Sequence, residues 1–169
     1  RRTGIRLQIS HFIFVGRRSW STAEACLRMV DEARREGVDV MIDAFPYTCG
    51  NTTINVVFPY WFLARLPDGY RNAWARARLR AEFGVSFGLL GFFYRDFQVM
   101  DVAVTGWEEL NGLTIEQIAS KWGMSPFRAL LKLSEASQGR TLMLFHAYSG
   151  EPGNEGSLAS VLCHEACLF

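Results

Sequence analysis

Two short apolar-alternating runs joined by one amphipathic stretch constrain the fold of this chain more than any other feature. Ile5-Arg6-Leu7-Gln8-Ile9 alternates and then meets Ser10-His11, the pattern of a strand that delivers a histidine at its C-terminal end. Ser21 and Glu24 have the spacing of a capping box. Leu27, Val30 and Ala33 continue as one apolar stripe, and Gly37 supplies a helix stop. Val38-Asp39-Val40-Met41-Ile42-Asp43 is a second strand that runs into Phe45-Pro46-Tyr47. Parallel strands cannot be joined by a tight turn, and a strand, helix and strand within roughly forty residues match a parallel crossover unit. The fold class expected is therefore α/β.

After Thr48 the pattern changes. Pro46-Tyr47-Thr48-Cys49-Gly50-Asn51-Thr52-Thr53 reads as a loop of hydroxyls, an amide and a glycine, able to place donors around a polar ligand. Pro59, Trp61 and Pro67 extend the irregular stretch, and a helix is predicted over 71–83. Thr114 and Gln117 form a capping box for a short helix that Gly123 closes. Ser125-Pro126 opens the next helix, with proline at its first position. Leu142 to Phe145 reads as a short strand, Asn154 as the cap of a helix through Leu158 and Val161, and Cys167-Leu168-Phe169 as the start of another strand. About ninety residues between two strands exceed ordinary loop lengths, so residues 48–140 are expected to form a functional, largely helical insertion.

Composition removes several function classes. A chain 49% hydrophobic and 21% charged is globular, and a formal net charge of +1 lacks the basic excess of a nucleic-acid surface. The arginines between Arg71 and Arg80 are followed by Glu82 and read as a solvated helix face. Phe83 to Tyr94 is apolar but too short and too glycine-rich to span a membrane. Cys26, Cys49, Cys163 and Cys167 have no disulfide-framework spacing, which points to a reducing, cytoplasmic setting. Cys163-His164-Glu165-Ala166-Cys167 has the outline of a metal clip without the second ligand pair that a structural zinc site needs.

Three histidines can be weighed one by one. His11 ends a strand and enters a loop, the place where a barrel enzyme carries its active-site rim; it can be a metal ligand or a hydrogen-bonded strand-end residue. His146 ends a strand-like run in the same way. His164 falls at a helix C-terminus, where a cation complements the dipole, and reads as structural. Asp43, at a strand end, can act as acid, base or ligand, or can orient backbone amides.

Taken together in order, Leu7-Gln8-Ile9-Ser10-His11, Asp43-Ala44-Phe45-Pro46-Tyr47-Thr48-Cys49-Gly50-Asn51-Thr52 and Pro59-Tyr60-Trp61 resemble the D-aminoacylase branch of the amidohydrolases. Glu109-Leu110-Asn111-Gly112-Leu113-Thr114-Ile115-Glu116-Gln117-Ile118-Ala119, the helix from Gly123 to Leu133, and Val161-Leu162-Cys163-His164-Glu165 continue the resemblance, which is colinear over nearly the whole chain. It implies a partial TIM (β/α)8 barrel comprising about the last three strands, with one catalytic barrel represented across 1–169 and the insertion at 48–140. It also implies zinc-dependent hydrolysis of a linear amide C–N bond in an N-acyl amino acid, with one or two Zn²⁺ ions. No nucleic-acid or membrane partner is implied.

Within the chain the resemblance makes His11 a metal ligand and Tyr47, Asn51 and Thr52 substrate contacts. It puts the catalytic Asp beyond Phe169 and the remaining ligands before Arg1, so the piece alone is expected to be inactive and loosely folded. Ile13, Phe45 and Asn51 stand where the family usually has Lys, Tyr and Ser. These departures keep two other readings open: a non-catalytic barrel relative acting as a binding subunit, and an amidohydrolase for cyclic amides.

Overall fold

The computed structural model describes residues 3–168. In chain order the elements are β1 (Leu7–Ile9), α1 (Ala23–Arg35), β2 (Val40–Asp43), β3 (Cys49–Thr53), α2 (Tyr60–Leu63), α3 (Ala73–Leu90), β4 (Phe97–Asp101), α4 (Ile115–Lys121), α5 (Pro126–Ser137), β5 (Leu142–His146), α6 (Gly156–Leu162) and β6 (Cys167–Leu168), with short 3-10 turns between them. This is a mixed α/β chain, and it divides into two compact units, Arg1–Thr48 with Ala147–Phe169, and Cys49–His146.

The first unit is built on a parallel sheet in the order β1-β2-β6. β2 is central: Leu7 pairs with Val40 and Ile9 with Ile42 on one side, and Ile42 with Cys167 on the other. The alternation read in the sequence follows from this position. Val40 and Ile42 are buried, with Leu27 and Val30 of α1 and Leu158 and Val161 of α6 buried in the same unit. On the outer strand β1, Leu7 remains half exposed. The loop after β1 is tied to the segment after β5: the Phe14 amide donates to the Ser149 hydroxyl at 2.9 Å, the Ser149 amide to the Phe14 carbonyl at 2.7 Å, and the Arg17 guanidinium to Glu151 at 2.8 Å.

The second unit has an antiparallel sheet in the order β3-β5-β4, its central strand β5 pairing Gly50 with Phe145 and Phe97 with Phe145 from opposite sides. An aromatic chain fills it. Phe62, fully buried, meets Phe58, Trp61 and Tyr70, and Phe83 stacks between Phe58 and Phe87.

Several sequence expectations change. Residues 49–53 form strand β3 rather than loop, so Asn51 and Thr52 stand on a paired strand, opposite Leu144 and Met143. Helix α3 does not stop at Phe83: it passes through Gly84 and Gly88 and ends at Gly91, whose φ of 75° closes the helix with a bond to the Phe87 carbonyl. Two helical glycines cost about 1 kcal/mol each, and Phe87, one turn past Phe83, packs on Phe83, Tyr94 and Phe97, which offsets part of that cost. The irregular stretch before it contains the one-turn helix α2.

Ser21 caps nothing. A 3-10 turn over Trp20–Thr22 runs directly into α1, so the residue before the helix is already helical and makes no side-chain cap. Asn154 is not a cap either; its backbone pairs with Glu151 and α6 begins two residues later. Phe169, read as the last residue of a strand, lies outside the described residues, and β6 covers Cys167–Leu168.

The α4 capping box forms as expected. The Gln117 amide donates to Thr114 Oγ1 at 3.3 Å, and the Thr114 amide donates to Gln117 Oε1 at 2.8 Å. Thr114→Ala is expected to lower the stability of this unit by about 1 kcal/mol, read as a shift in its urea midpoint at unchanged slope. Ser125 caps α5 with Pro126 at the first position, also as expected.

Candidate functional site

His11 sits two residues past β1, and its backbone adopts φ 56°, a left-handed conformation that costs a non-glycine residue about 1 kcal/mol or more. Asp43, the last residue of the neighbouring strand β2, holds it there. Asp43 Oδ1 accepts the His11 amide at 2.8 Å; Oδ2 accepts the Ser10 hydroxyl at 2.8 Å and the Gln8 amide side chain at 2.9 Å. The Asp43 carbonyl takes the Phe12 amide at 2.7 Å, and the Ile13 amide folds back onto the His11 carbonyl at 2.7 Å. Four bonds from residues 8–12 therefore end on one aspartate.

The local sequence explains the convergence. Alternation turns Gln8 and Ser10 to one side of β1, and the parallel register matches Gln8 to Met41 and Ile9 to Ile42, which brings the end of β1 level with Asp43. Of the roles open to Asp43, this geometry selects orientation of amides. They belong to the loop after β1 rather than to the turn after β2. The His11 amide, then the Ser10 and Gln8 side chains, hold the Asp43 carboxyl below its ordinary value of 3.8. A carboxylate with both oxygens engaged and its proton affinity lowered is a poor proton acceptor near neutral pH.

The His11 side chain is free for other work. It is exposed, its ring meets Phe45 edge-on at 5.9 Å, and neither ring nitrogen has a hydrogen-bond partner among the described residues. Phe45 in turn lies 6.5 Å from the Tyr148 ring, whose phenol burial pushes up in pKa. Tyr47 is exposed in the same unit. An imidazole nitrogen is a zinc donor by type, and those of His11 are not taken up by hydrogen bonds among the described residues. No group of three or more His, Cys, Asp or Glu that could hold a metal occurs among the described residues.

The other candidates have structural partners. His146 Nε2 lies 2.9 Å from Gln98 Oε1 across the antiparallel sheet. His164 is bound at both nitrogens: Nε2 to Asp31 at 3.1 Å, and Nδ1 accepting the Ala166 amide at 3.2 Å. Its partner is thus a carboxylate on α1 rather than only the end of its own helix. Cys163 and Cys167, on either side of it, are unpaired thiols. In the second unit, Asn51 is exposed and donates to the Met100 sulfur at 2.8 Å, and Thr52 is half-buried on β3. No helix of the described residues is long and apolar enough to cross a membrane. Sequence reasoning overlooked Gln8; its place on the same side of β1 as Ser10 was the available signal.

No family model matches the chain. A curated relative does: N-acyl-D-glutamate deacylase of Alcaligenes xylosoxydans xylosoxydans, 25% identical over 172 residues, a match covering 99% of this chain and 25% of the relative. Among solved structures, N-acyl-D-glutamate deacylase from Bordetella bronchiseptica, complexed with zinc and a phosphonate mimic of the tetrahedral intermediate, superimposes with a TM-score of 0.61 at 20% identity. That match covers 99% of this chain and 26% of the deacylase. The proteins it is similar to are N-acyl-D-glutamate deacylases and a D-aminoacylase. A D-aminoacylase with a binuclear metal centre gives a TM-score of 0.57 at 18% identity, over 97% of this chain and 25% of its own. The chain thus spans about a quarter of the length of the D-aminoacylases it matches.

Proposed function

We propose that this chain is part of a zinc-dependent deacylase of the D-aminoacylase type that hydrolyses the amide C–N bond of an N-acyl amino acid. The observation that carries the reading is His11: an exposed imidazole with no hydrogen-bond partner among the described residues, just past the end of a parallel strand, in a chain whose relatives are metal-dependent deacylases. The three parallel strands β1, β2 and β6 are assigned to the late part of a TIM barrel. Active-site groups of that fold gather at the C-terminal ends of the strands, where His11 and Asp43 stand. Residues 48–140 are assigned as an insertion; the compact unit Cys49–His146, which takes in β5 just past that range, supports an insertion of nearly this extent. Unpaired cysteines fit a cytoplasmic setting.

His11 would hold the metal through a ring nitrogen. Zinc bound there supplies Lewis-acid chemistry, lowering the pKa of water to about 7 and polarising the acyl oxygen. Phe45 stands against the ring of His11 and limits how far it can swing. Tyr47, exposed in the unit that carries His11, is assigned to the substrate, its hydroxyl suited to a carboxylate or acyl oxygen; Asn51 and Thr52, at neighbouring positions of β3, leave opposite faces of their sheet and are not assigned with it. None of the described residues is assigned the proton transfer from water to the leaving amine, and Asp43 is unsuited to it. We place that acid–base group, with the other metal ligands, in the further length that the relatives possess.

The test is hydrolysis of a panel of N-acyl-D-amino acids, N-acyl-D-glutamate included, by the protein that carries this chain. Release of free amino acid is expected, lost on chelation and restored by zinc. The 169 residues by themselves are expected to release none. Hydrolysis that survives complete removal of metal, or that the isolated 169 residues perform, would overturn the reading.

A further inference from the structure

We propose that Asp43 is a positioning residue: through Oδ1 it holds the backbone of His11 in its left-handed turn and so fixes the direction in which the imidazole is offered to the metal. The inference rests on the assignment of His11 as a ligand and adds the device that presents it. A strand continuing past Ile9 in extended conformation would send the side chain at position 11 to the same side as Leu7 and Ile9, since alternate residues share a face. The φ of 56° breaks that alternation and redirects the ring.

The amides of the turn itself end on Asp43 and on the turn's own tightening bond. The His11 amide ends on Oδ1, the Phe12 amide on the Asp43 carbonyl, and the Ile13 amide on the His11 carbonyl. The aspartate is fixed in turn. Ser10 and Gln8 donate to Oδ2, so the carboxylate cannot rotate away without losing both. Its backbone is held by the pairing of β2 with β1 on one side and β6 on the other. Three of the four lone-pair positions on the carboxylate are taken by these donors, one of them the His11 amide, and the role assigned to Asp43 is exerted through that bond.

Two substitutions separate this role from general support of the sheet. Asp43→Ala removes the acceptor for the His11 amide. Asp43→Asn keeps an oxygen at that place, and Ser10 and Gln8 can both turn to accept from the new amide group. In the whole protein carrying this chain, zinc affinity is measured by competition with a chromogenic chelator, with thermal unfolding recorded alongside. Loss of a group that orients a metal ligand typically weakens binding about 10- to 100-fold. That loss is expected for Asp43→Ala, with Asp43→Asn recovering to within about threefold of the parent on the same scale.

Unchanged zinc affinity in Asp43→Ala, whatever its melting temperature, would overturn the positioning role, as would equal loss in Asp43→Asn and Asp43→Ala. His11→Ala runs beside them as the arbiter of the underlying reading. If His11→Ala leaves zinc binding intact, the ligand assignment itself fails; if it abolishes binding while Asp43→Ala does not weaken it, only the positioning role fails.

Discussion

His11→Ala is expected to reduce bound zinc by at least one site equivalent and to lower hydrolysis of N-acyl amino acids by more than about 100-fold, since even the loss of a supporting hydrogen bond to a ligand costs about 10- to 100-fold. His11 ends on a solvent-exposed ring, and the carboxylate beside it is committed to Gln8, Ser10 and the His11 amide. His164→Ala is the matched control. That imidazole is engaged by Asp31 and the Ala166 amide, so its loss is expected to cost stability of about 1 kcal/mol or less and no metal. Elemental analysis of the purified variants reads both. Equal zinc content in parent and His11→Ala would remove His11 from the site.

The largest stability effect is expected at Phe62. This ring is fully buried and touches Phe58 at 5.2 Å, Trp61 at 5.7 Å and Tyr70 at 5.8 Å between centroids. Gly69 packs so closely that a Cβ there would come within 3.3 Å of the Phe62 ring, leaving little slack for the surroundings to close in. Phe62→Ala removes the ring and leaves a cavity, at an expected cost of about 3–5 kcal/mol. Tyr60, two residues earlier on the same short helix, is 85% exposed, and Tyr60→Ala is expected to stay within about 0.5 kcal/mol of the parent. Urea unfolding followed by the fluorescence of Trp61 distinguishes the two. A small shift for Phe62→Ala would mean that the aromatic cluster is not the core of its unit.

The parallel crossover was legible in the sequence because its signal is local. Val40 and Ile42 alternate with outward residues on a central strand, and Leu27 and Val30 form a single helical stripe. Strands β3 and β4 were not legible. Cys49-Gly50-Asn51-Thr52-Thr53 has weak strand propensity, and it becomes a strand by pairing with β5, about ninety residues away, a partner no local window contains. Helix α3 runs seven residues past the expected end at Phe83, where Phe87 packs on Tyr94 and Phe97 of the following segment.

The site was legible in part for the same reason. His11 could be singled out from its place at a strand end. The aspartate that holds it could be named but not given its role, since the bond from the His11 amide to Asp43 depends on strand register and on a backbone turn that composition does not encode.

Strand pairing in the second unit has a consequence for how such a chain can be rearranged. Its first residue, Cys49, lies opposite its last, His146, on one rung of the antiparallel ladder. Paired residues on such a rung are only about 5 Å apart, so the whole unit begins and ends at nearly the same point. A host chain need only open a gap the width of one tight turn to receive it, and a two-residue hairpin turn could close that gap again once it was excised. On the insertion assignment proposed above, gain of this segment or its exchange for another would need only a junction of that width.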